Sequence, residues 1–257
     1  MSQNHGPNFV TDGLLTCIDM ANPGPKLTNN FSGPDKYYED RSGNGNHAVR
    51  GIQGGYQTSY TFPGFWRNSA SVGRLQFPLD FGSLSRNPVS NDTFAQWTIS
   101  LLLQRLADDG GVAPGLNPDT SYGRLAGTNG VIDHGEIAIK KGTNDIWVSG
   151  PRSYRLDSDM DLVQNETAYI CCGFNGPAEN PWQGTEKYWK NGVLIKSFTT
   201  QANMDTGQPT GYTMGSRSDF NGEWVETKFY HVTVHDRLLT DNEVAQNFEA
   251  LRRRVNL

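Results

Sequence analysis

Carboxylates are the side chains that cleave glycosidic bonds, and the densest acidic run in this sequence is Asp157-Ser158-Asp159-Met160-Asp161. A retaining glycosidase needs two carboxyl groups about 5–5.5 Å apart, and a Glu-x-Asp-x-x-Glu run along one strand would supply them. No such run occurs in the sequence. A calcium loop starting at Asp157 would need glycine at its sixth position and glutamate at its twelfth, where the chain has Leu162 and Ala168. We therefore predict that the acidic run is a solvated loop with no catalytic residue and no metal.

Histidines could bind a metal ion or act as a catalytic base, and the chain has five of them. Only His231 and His235 have a regular spacing. On a strand this spacing places both rings on one face about 13 Å apart, which is too far to share one ion. A Gly-x-Ser-x-Gly nucleophile elbow is absent, although a Ser/His/Asp triad has no fixed spacing and stays an alternative. We predict no cofactor and no enzymatic activity.

Exposed aromatic rings could bind sugars, because pyranose rings stack on them. Four of the six tryptophans lie in alternating, strand-like segments and are predicted to be in the core: Trp97, Trp147, Trp189 and Trp224. Trp66 and Trp182 lie in segments that are predicted to be loops. We predict Trp66 and Trp182 as the ligand-binding residues. The alternative for each is a ring that covers the edge of the fold or contacts another subunit.

The elements that carry these residues are predicted to be short β-strands. Apolar and polar residues alternate over short stretches, and many of the 29 glycines and 13 prolines lie in the turns between them, as is typical of an all-β sandwich. The predicted strands cover residues 14–18, 74–79, 96–103, 122–125, 136–140, 145–148, 168–174, 187–190, 193–195, 211–215 and 225–235. The predicted loops cover residues 22–47, 107–120 and 175–185. Asn191-Gly192 predicts a hairpin with a type I′ turn, because both residues tolerate positive φ.

One helix is predicted, at residues 240–254. Thr240 and Glu243 have the spacing of a capping box, in which each residue binds the other's backbone N–H. The apolar side chains that then share one face of the helix are Val244, Phe248 and Leu251. A helix of about a dozen residues is marginal alone in water, so this face must be buried against an edge or face of a sheet.

The net charge of −5 and a pI near 5.5 argue against nucleic acid as a partner, since phosphate binding needs a basic surface. The basic run Arg252-Arg253-Arg254 is predicted to complement the dipole at the end of the helix. No segment has the roughly 18 apolar residues that span a membrane, and the first 13 residues lack the features of a signal peptide. We predict a chain that is made in the cytoplasm and binds no membrane.

The three cysteines, Cys17, Cys171 and Cys172, are predicted to be free thiols. Their number is odd, and neighbours in sequence rarely pair with each other without strain. Alternation along the strand places Cys171 and Cys172 on opposite faces, so we expect both to be small buried side chains.

Several motifs, in order along the chain, resemble one family. The opening ones are Asp12-Gly13-Leu14 with Asp19-Met20-Ala21-Asn22-Pro23, followed by Asp40-Arg41-Ser42-Gly43-Asn44-Gly45-Asn46-His47-Ala48. The closing ones are the Tyr188-Trp189-Lys190-Asn191-Gly192 hairpin, Met214-Gly215-Ser216-Arg217, and the stretch from Phe229 to Thr240 with Glu243 and Phe248. This order is similar to that of the laminin-G-like and concanavalin A-like lectin/glucanase jelly rolls, of the type found in bacteriophage structural proteins and bacterial surface proteins.

The resemblance implies an all-β, two-sheet antiparallel jelly-roll sandwich in which residues 1–257 form one domain, with a flexible N-terminal arm at residues 1–11. Its first functional interpretation is a non-enzymatic virion protein, a capsid decoration or tail-appendage subunit. The partners would be capsid or tail proteins of the virion, with a host surface glycan and a second copy of the chain as further candidates. The alternative is a carbohydrate-binding, lectin-like adhesin module. A glycoside-processing enzyme comes third, because the carboxylate pattern is absent.

Trp182→Ala is expected to weaken binding to a glycan or protein partner while leaving the melting temperature nearly unchanged. A ring in a segment flanked by Pro181 and Gly184 should contribute little to the core. Thermal unfolding of the two proteins checks this, and a large loss of stability would show that the ring is structural.

Overall fold

A computed structural model describes the chain over residues 8–20, 37–51, 60–61, 65–68, 74–77, 96–107, 122–128, 135–140, 142–150, 156–176, 183–201, 212–215 and 225–257. These residues form sixteen strands in two antiparallel sheets and one helix, α1 (Asp241–Arg252). The predicted fold class is therefore confirmed.

The sheet that carries the helix is called sheet A. Its strands are β1 (Leu14–Asp19), β4 (Tyr60–Thr61), β5 (Phe65–Asn68), β7 (Gln96–Ala107), β12 (Thr167–Asn175), β13 (Gln183–Lys190), β14 (Val193–Gln201) and β16 (Glu226–His235). The spatial order is β14-β13-β12-β7-β16-β5-β4, and β1 also pairs with β16.

The opposing sheet is called sheet B. Its strands are β2 (Tyr37–Tyr38), β3 (Ala48–Gly51), β6 (Arg74–Phe77), β8 (Tyr122–Thr128), β9 (Glu136–Lys140), β10 (Asp145–Ser149), β11 (Leu156–Asp161) and β15 (Tyr212–Met214). The spatial order is β11-β10-β9-β8-β15-β6-β3-β2. Neighbours in this order are often distant in sequence, as expected of a jelly roll.

Apolar side chains form two separate clusters, one on each face of sheet A. The inner core lies between the sheets and includes Trp97, Ile99, Leu101, Ile137, Ile139, Ile170, Cys172 and Val232. The outer layer lies on the other face of sheet A and includes Val10, Leu102, Tyr169, Cys171, Trp189, Val244 and Leu251. Cys171 and Cys172 therefore lie on opposite faces and are fully buried free thiols, as the alternation predicted.

The turn between β13 and β14 has the predicted type I′ character. Asn191 has φ of 51° and Gly192 has φ of 79°, and this pair of positive values matches the twist of the two strands. The Asn191 side chain accepts a hydrogen bond from the Tyr169 N–H at 2.9 Å. A Cβ atom at residue 192 would lie 3.1 Å from the Phe248 ring, so glycine also lets the turn approach α1.

The capping box of α1 is confirmed. Thr240 Oγ1 accepts from the Glu243 N–H at 3.3 Å, and Glu243 Oε2 accepts from the Thr240 N–H at 2.8 Å. Val244 and Leu251 are fully buried in the outer layer, whereas Phe248 is only partly buried. Its ring packs against that of Tyr169, with 6.0 Å between centroids.

The acidic run is an exception to the sequence predictions, because residues 157–161 belong to β11 and not to a loop. Ser158 and Met160 are buried, while the three aspartates between and beside them are exposed. Ser158 Oγ donates to the Ile146 carbonyl. The alternation is thus present, but a polar inward residue conceals it in the sequence. β2 and β3 were likewise not predicted, and β2 lies within the predicted loop at residues 22–47.

The helix provides a test of how the outer layer is held. Leu251→Ala is expected to lower the free energy of unfolding by about 2–5 kcal/mol, because the side chain is fully buried. Thr240→Ala should cost only about 1 kcal/mol through loss of the cap. Urea unfolding of both variants measures the order of the two effects, and equal losses would contradict the placement of Leu251.

Candidate functional site

A half-exposed aromatic and cationic cluster lies on the outer face of sheet B. It consists of Tyr122 in β8, Lys140 in β9 and Trp147 in β10, and we call it the Trp147 cluster. The Tyr122 and Trp147 rings meet edge to face, with 5.7 Å between centroids. Lys140 Nζ lies 5.1 Å from the Trp147 centroid, within the range of a cation–π contact.

The strand register explains why these three side chains come together. Tyr122 is paired with Lys140, and Trp147 is paired with Ala138. Ile146 and Val148, on either side of Trp147, belong to the inner core. Successive residues of a strand point to opposite faces, so the indole must point away from the core. Ala138, the residue paired with Trp147, is small and fully buried.

A buried ion pair flanks the Trp147 cluster on the same face. Arg124 Nε donates to Glu136 Oε1 at 2.8 Å, and both side chains are fully buried. Arg124 is paired with Ala138, the residue that also pairs with Trp147. A Cβ atom at residue 127 would lie 3.2 Å from both Arg124 Nη1 and Glu136 Cβ. Gly127 therefore leaves room for the two charged groups to meet, and their contact fixes the side chains next to the aromatic rings.

An open polar pocket of about 380 Å³ lies at the start of α1. Its lining consists of Asn175, Lys187, Leu238, Leu239, Thr240, Asp241 and Asn242. Lys187 Nζ binds Asp241 Oδ1 at 2.9 Å, and this hydrogen bond lowers the pKa of Asp241. Trp189 Nε1 donates to the same oxygen at 3.1 Å. The charged groups of this pocket are thus already paired, and the fully buried Trp189 ring offers no face to a ligand.

Cys17 and His231 form a pair that resembles a nucleophile with its base, with 3.5 Å between Sγ and Nε2. Burial raises the pKa of Cys17 to about 12. Burial also lowers the pKa of His231 to about 4. Both groups are therefore neutral near pH 7, whereas a catalytic cysteine needs its thiolate form.

His231 and His235 lie on the same face of β16, as their spacing predicted. The Phe9 ring packs against both imidazoles, with centroid distances of 5.5 and 6.2 Å. Across the described ranges, no group of three or more His, Cys, Asp or Glu side chains is placed to hold a metal ion. No helix in that part of the chain is long and apolar enough to cross a membrane.

The Asp40–Asn46 motif has a structural role in this fold. Both carboxylate oxygens of Asp40 accept backbone N–H groups, from Cys17 and Ser42 on one oxygen and from Asn46 on the other, at 2.8–2.9 Å. Asn44 and Asn46 in turn donate to carbonyl groups of β1. The motif therefore ties its own turn to β1.

Of the two predicted site residues, only Trp66 lies in the described part of the chain. Trp66 was predicted in a loop but lies in strand β5, where it pairs with Phe229. Trp182 lies outside the described residues, as does Trp224. Trp97 and Trp189 are buried as predicted, whereas Trp147, predicted in the core, is half-exposed on the outer face. The sequence feature that could have predicted the outward position of Trp147 is its place between the apolar residues Ile146 and Val148.

The fold is similar to that of several solved structures, although no family model and no curated protein match the sequence. The binding domain of botulinum neurotoxin DC in complex with SialylT superimposes with a TM-score of 0.59 at 13% identity, covering 94% of this chain and 52% of that one. The receptor-binding domain of a botulinum neurotoxin C/D mosaic serotype gives a TM-score of 0.60 at 11% identity, with the same coverage. Trypanosoma rangeli sialidase in complex with sialic acid gives 0.59 at 12% identity, covering 94% of this chain and 33% of that one.

These likenesses define a β-sandwich of the jelly-roll kind, which the resemblance in the sequence implied. The chain spans about half the length of the neurotoxin chains and a third of the sialidase. Enzymes and binding domains both occur among the similar structures, so the fold alone assigns neither activity to this chain.

The thiol of Cys17 is expected to be unreactive although it is not fully buried. At pH 8 a pKa of about 12 in place of 9.0 leaves about a thousandfold less thiolate, so iodoacetamide should label the folded protein about a thousandfold more slowly than a free cysteine. Three thiols should react after unfolding in urea. Rapid labelling that disappears in Cys17→Ser would contradict the buried, protonated thiol.

Proposed function

We propose that this chain is a non-enzymatic, lectin-like carbohydrate-binding module and that the Trp147 cluster is its binding site. The observation that carries the proposal is a half-exposed tryptophan ring held edge to face by Tyr122 and bounded by Lys140. Proteins bind sugars with such sets of groups, since a pyranose has an apolar C–H face and a rim of hydroxyl groups.

The chemistry of the neighbouring residues fits both parts of a sugar. The indole face of Trp147 would take the C–H face, and the Lys140 ammonium would donate to a hydroxyl. Carboxylates are close as acceptors, because Asp157 of β11 is paired with Trp147 across the sheet and Asp145 lies two residues away in β10. The polar pocket at α1 is the weaker candidate, since its ammonium and carboxylate already bind each other.

The similar structures support a glycan as the partner class. One neurotoxin binding domain is in complex with SialylT, and the sialidase is in complex with sialic acid. We assign no catalytic residue. The exposed carboxylates of β11 alternate with buried residues along an edge strand. Cys17 and His231 are both neutral near pH 7. The inner core shared by the two sheets supports the proposal that the chain is one domain.

A virion role rests on the resemblance of the sequence motifs, and the similar structures add no support for it. Binding to capsid or tail proteins, and a location in the virion, therefore stay predictions. The carbohydrate-binding alternative has more support, because it rests on the geometry of the Trp147 cluster as well as on the fold.

Trp147→Ala is the direct test of the site. A glycan array on the unmodified protein identifies a ligand, and titration calorimetry then compares the variants. We expect Trp147→Ala to weaken binding at least about tenfold, on the order of 1.4 kcal/mol, while Trp147→Phe retains most of the affinity. Trp147→Phe should leave thermal unfolding nearly unchanged, because it keeps a ring beside Tyr122, so the comparison of affinities rests on two folded proteins.

Two control variants separate this site from the rest of the surface. Tyr230→Ala removes a partly buried ring from sheet A, and Lys187→Ala removes the cation of the polar pocket. Neither should change glycan affinity. The assignment is wrong if Lys187→Ala abolishes binding and Trp147→Ala does not, and the non-enzymatic proposal is wrong if the bound glycan is hydrolysed.

A further inference from the structure

The segment Asn8–Gly13 crosses the outer face of sheet A between β16 and α1, and we call it the strap. The Val10 N–H donates to Asn247 Oδ1 of α1 at 2.8 Å. The Val10 carbonyl contacts His235 Nε2 of β16 at 3.1 Å. One residue of the strap thus joins the helix to the sheet through its two backbone groups. The sequence predicted a flexible arm at residues 1–11, but its last part is packed in the outer layer.

Phe9 fixes the strap to the same strand. Its ring lies against the imidazoles of His231 and His235, and both histidines are buried. The titratable side chains that contact Phe9 and Val10 thus include both of these histidines.

The hydrogen bonds determine which nitrogen carries the proton. A carbonyl oxygen can only accept, so His235 Nε2 must donate to Val10 and Nδ1 must be the unprotonated nitrogen. His235 Nδ1 is buried and has no hydrogen-bond partner among the described residues. A second proton on this ring would create a buried cation with an unsatisfied N–H, which is unfavourable.

The charged groups around His231 do not compensate for the energetic cost of burying its protonated imidazole. Asp19 of β1 faces His231, but its carboxylate is bound by Arg254 at 2.5 Å. The guanidinium itself repels a protonated imidazole, and so does His235 when protonated. Cys17, the other titratable group of β1 near this ring, is neutral.

The charged groups around His235 are balanced in the same way. Asp236 and Glu243 would favour its protonation, and Arg237 opposes it. Both nitrogens at the end of the Arg237 guanidinium bind Glu243, at 2.6 and 3.0 Å, and its Nε binds Asp12 of the strap at 2.9 Å. Burial lowers the pKa of both histidines, to about 4 for His231. For His235 this effect of burial outweighs the hydrogen bond to the Val10 carbonyl, which by itself favours the protonated ring.

We infer that the strap is an acid-released cover: protonation of His231 and His235 detaches residues 8–13 from sheet A and α1 while the two sheets remain packed together. Release would uncover apolar side chains of the outer layer beside β16, including Leu102 and Tyr169. Both histidines of β16 that contact the strap lie on the face of sheet A opposite to the inner core, to which Val232 and Val234 of the same strand belong.

The pH range follows from the direction of the shifts. A histidine with a lowered pKa in the closed state stabilises that state above the pKa of the open state, near 6.5, and the stabilisation is lost as pH falls towards about 4. The helix cap responds only at lower pH, because Arg237 lowers the pKa of Glu243 to about 2. At pH 5, therefore, the effect of histidine protonation can be measured while the Thr240–Glu243 helix cap is still intact.

Amide hydrogen exchange measured by NMR tests the inference. The Val10 amide reports the strap, and the Leu101 amide in β7 reports the inner core. After division by the intrinsic exchange rate at each pH, the protection of Val10 should fall about 20-fold between pH 7 and pH 5 for one responding histidine. Leu101 should remain much better protected than Val10 at both pH values, because the sheets stay packed when the strap opens. Unchanged protection of Val10, or equal protection of Val10 and Leu101 at pH 5, overturns the inference.

A double variant and a matched control identify the trigger. His231→Phe combined with His235→Gln keeps a ring against Phe9 and an amide donor for Val10 but removes both titrations, so Val10 protection should be the same at pH 5 and pH 7. His47→Gln, which removes a histidine that accepts from the Asp40 N–H, should respond to acid as the unmodified protein does. Acid release that persists in the double variant excludes the histidines as the trigger.

If the double variant does not close the strap at neutral pH, the imidazole signals of the unmodified protein decide the question. Both histidines should titrate below 6.5, together with the loss of Val10 protection. Titration at 6.5 or above contradicts the inference.

Discussion

Sheet A must be covered on both of its faces, and the arrangement of the rest of the chain depends on this constraint. Leu101, Leu102 and Leu103 follow one another in β7 and are all fully buried. Since successive strand residues point to opposite faces, sheet B can cover Leu101 and Leu103 but not Leu102. Burying such a side chain contributes about 1.5–3 kcal/mol. The C-terminal helix and the strap, which lie at opposite ends of the sequence, meet on that second face and supply the missing cover.

Sheet B is built differently, and this difference places the candidate site. In β9, Ile137 and Ile139 belong to the inner core, whereas Glu136, Ala138 and Lys140 point the other way. Charged, small and aromatic side chains therefore collect on the outer face without weakening the contact between the sheets. Trp147, the proposed binding residue, therefore lies outside the inner core.

The features that the sequence predicted correctly are those decided by a few neighbouring residues. Asn191-Gly192 specifies its turn, and Thr240 with Glu243 specifies the start of the helix, because the interacting groups are at most three residues apart. The hydrogen bond from Val10 to Asn247 joins residues 237 positions apart, and no local sequence pattern predicts it. The ion pair between Arg124 and Glu136 was missed for the same reason.

The errors also have a physical cause. β11 was predicted as a loop because its edge position lets three aspartates face water, and the strand pattern then rests on Ser158 and Met160 alone. Trp147 was assigned to the core because it lies in an alternating, strand-like segment. Its neighbours Ile146 and Val148 are the core residues, and since successive strand residues point to opposite faces, the ring between them points outward.

The two apolar layers differ in how their backbone groups are joined, and this difference favours opening of the outer layer first. The strands around the inner core are joined by continuous ladders, as in the nine consecutive residue pairs between β12 and β7. The strap has no ladder and is held by single hydrogen bonds such as that from Val10 to Asn247.

Beneath the outer layer, Thr233 Oγ1 and His235 Nδ1 are buried without hydrogen-bond partners among the described residues. Unsatisfied buried groups weaken the closed state of the layer that contains them. Local opening should therefore begin in the outer layer, and the face of sheet B that carries Trp147 is not disturbed by it, because the inner core lies between them.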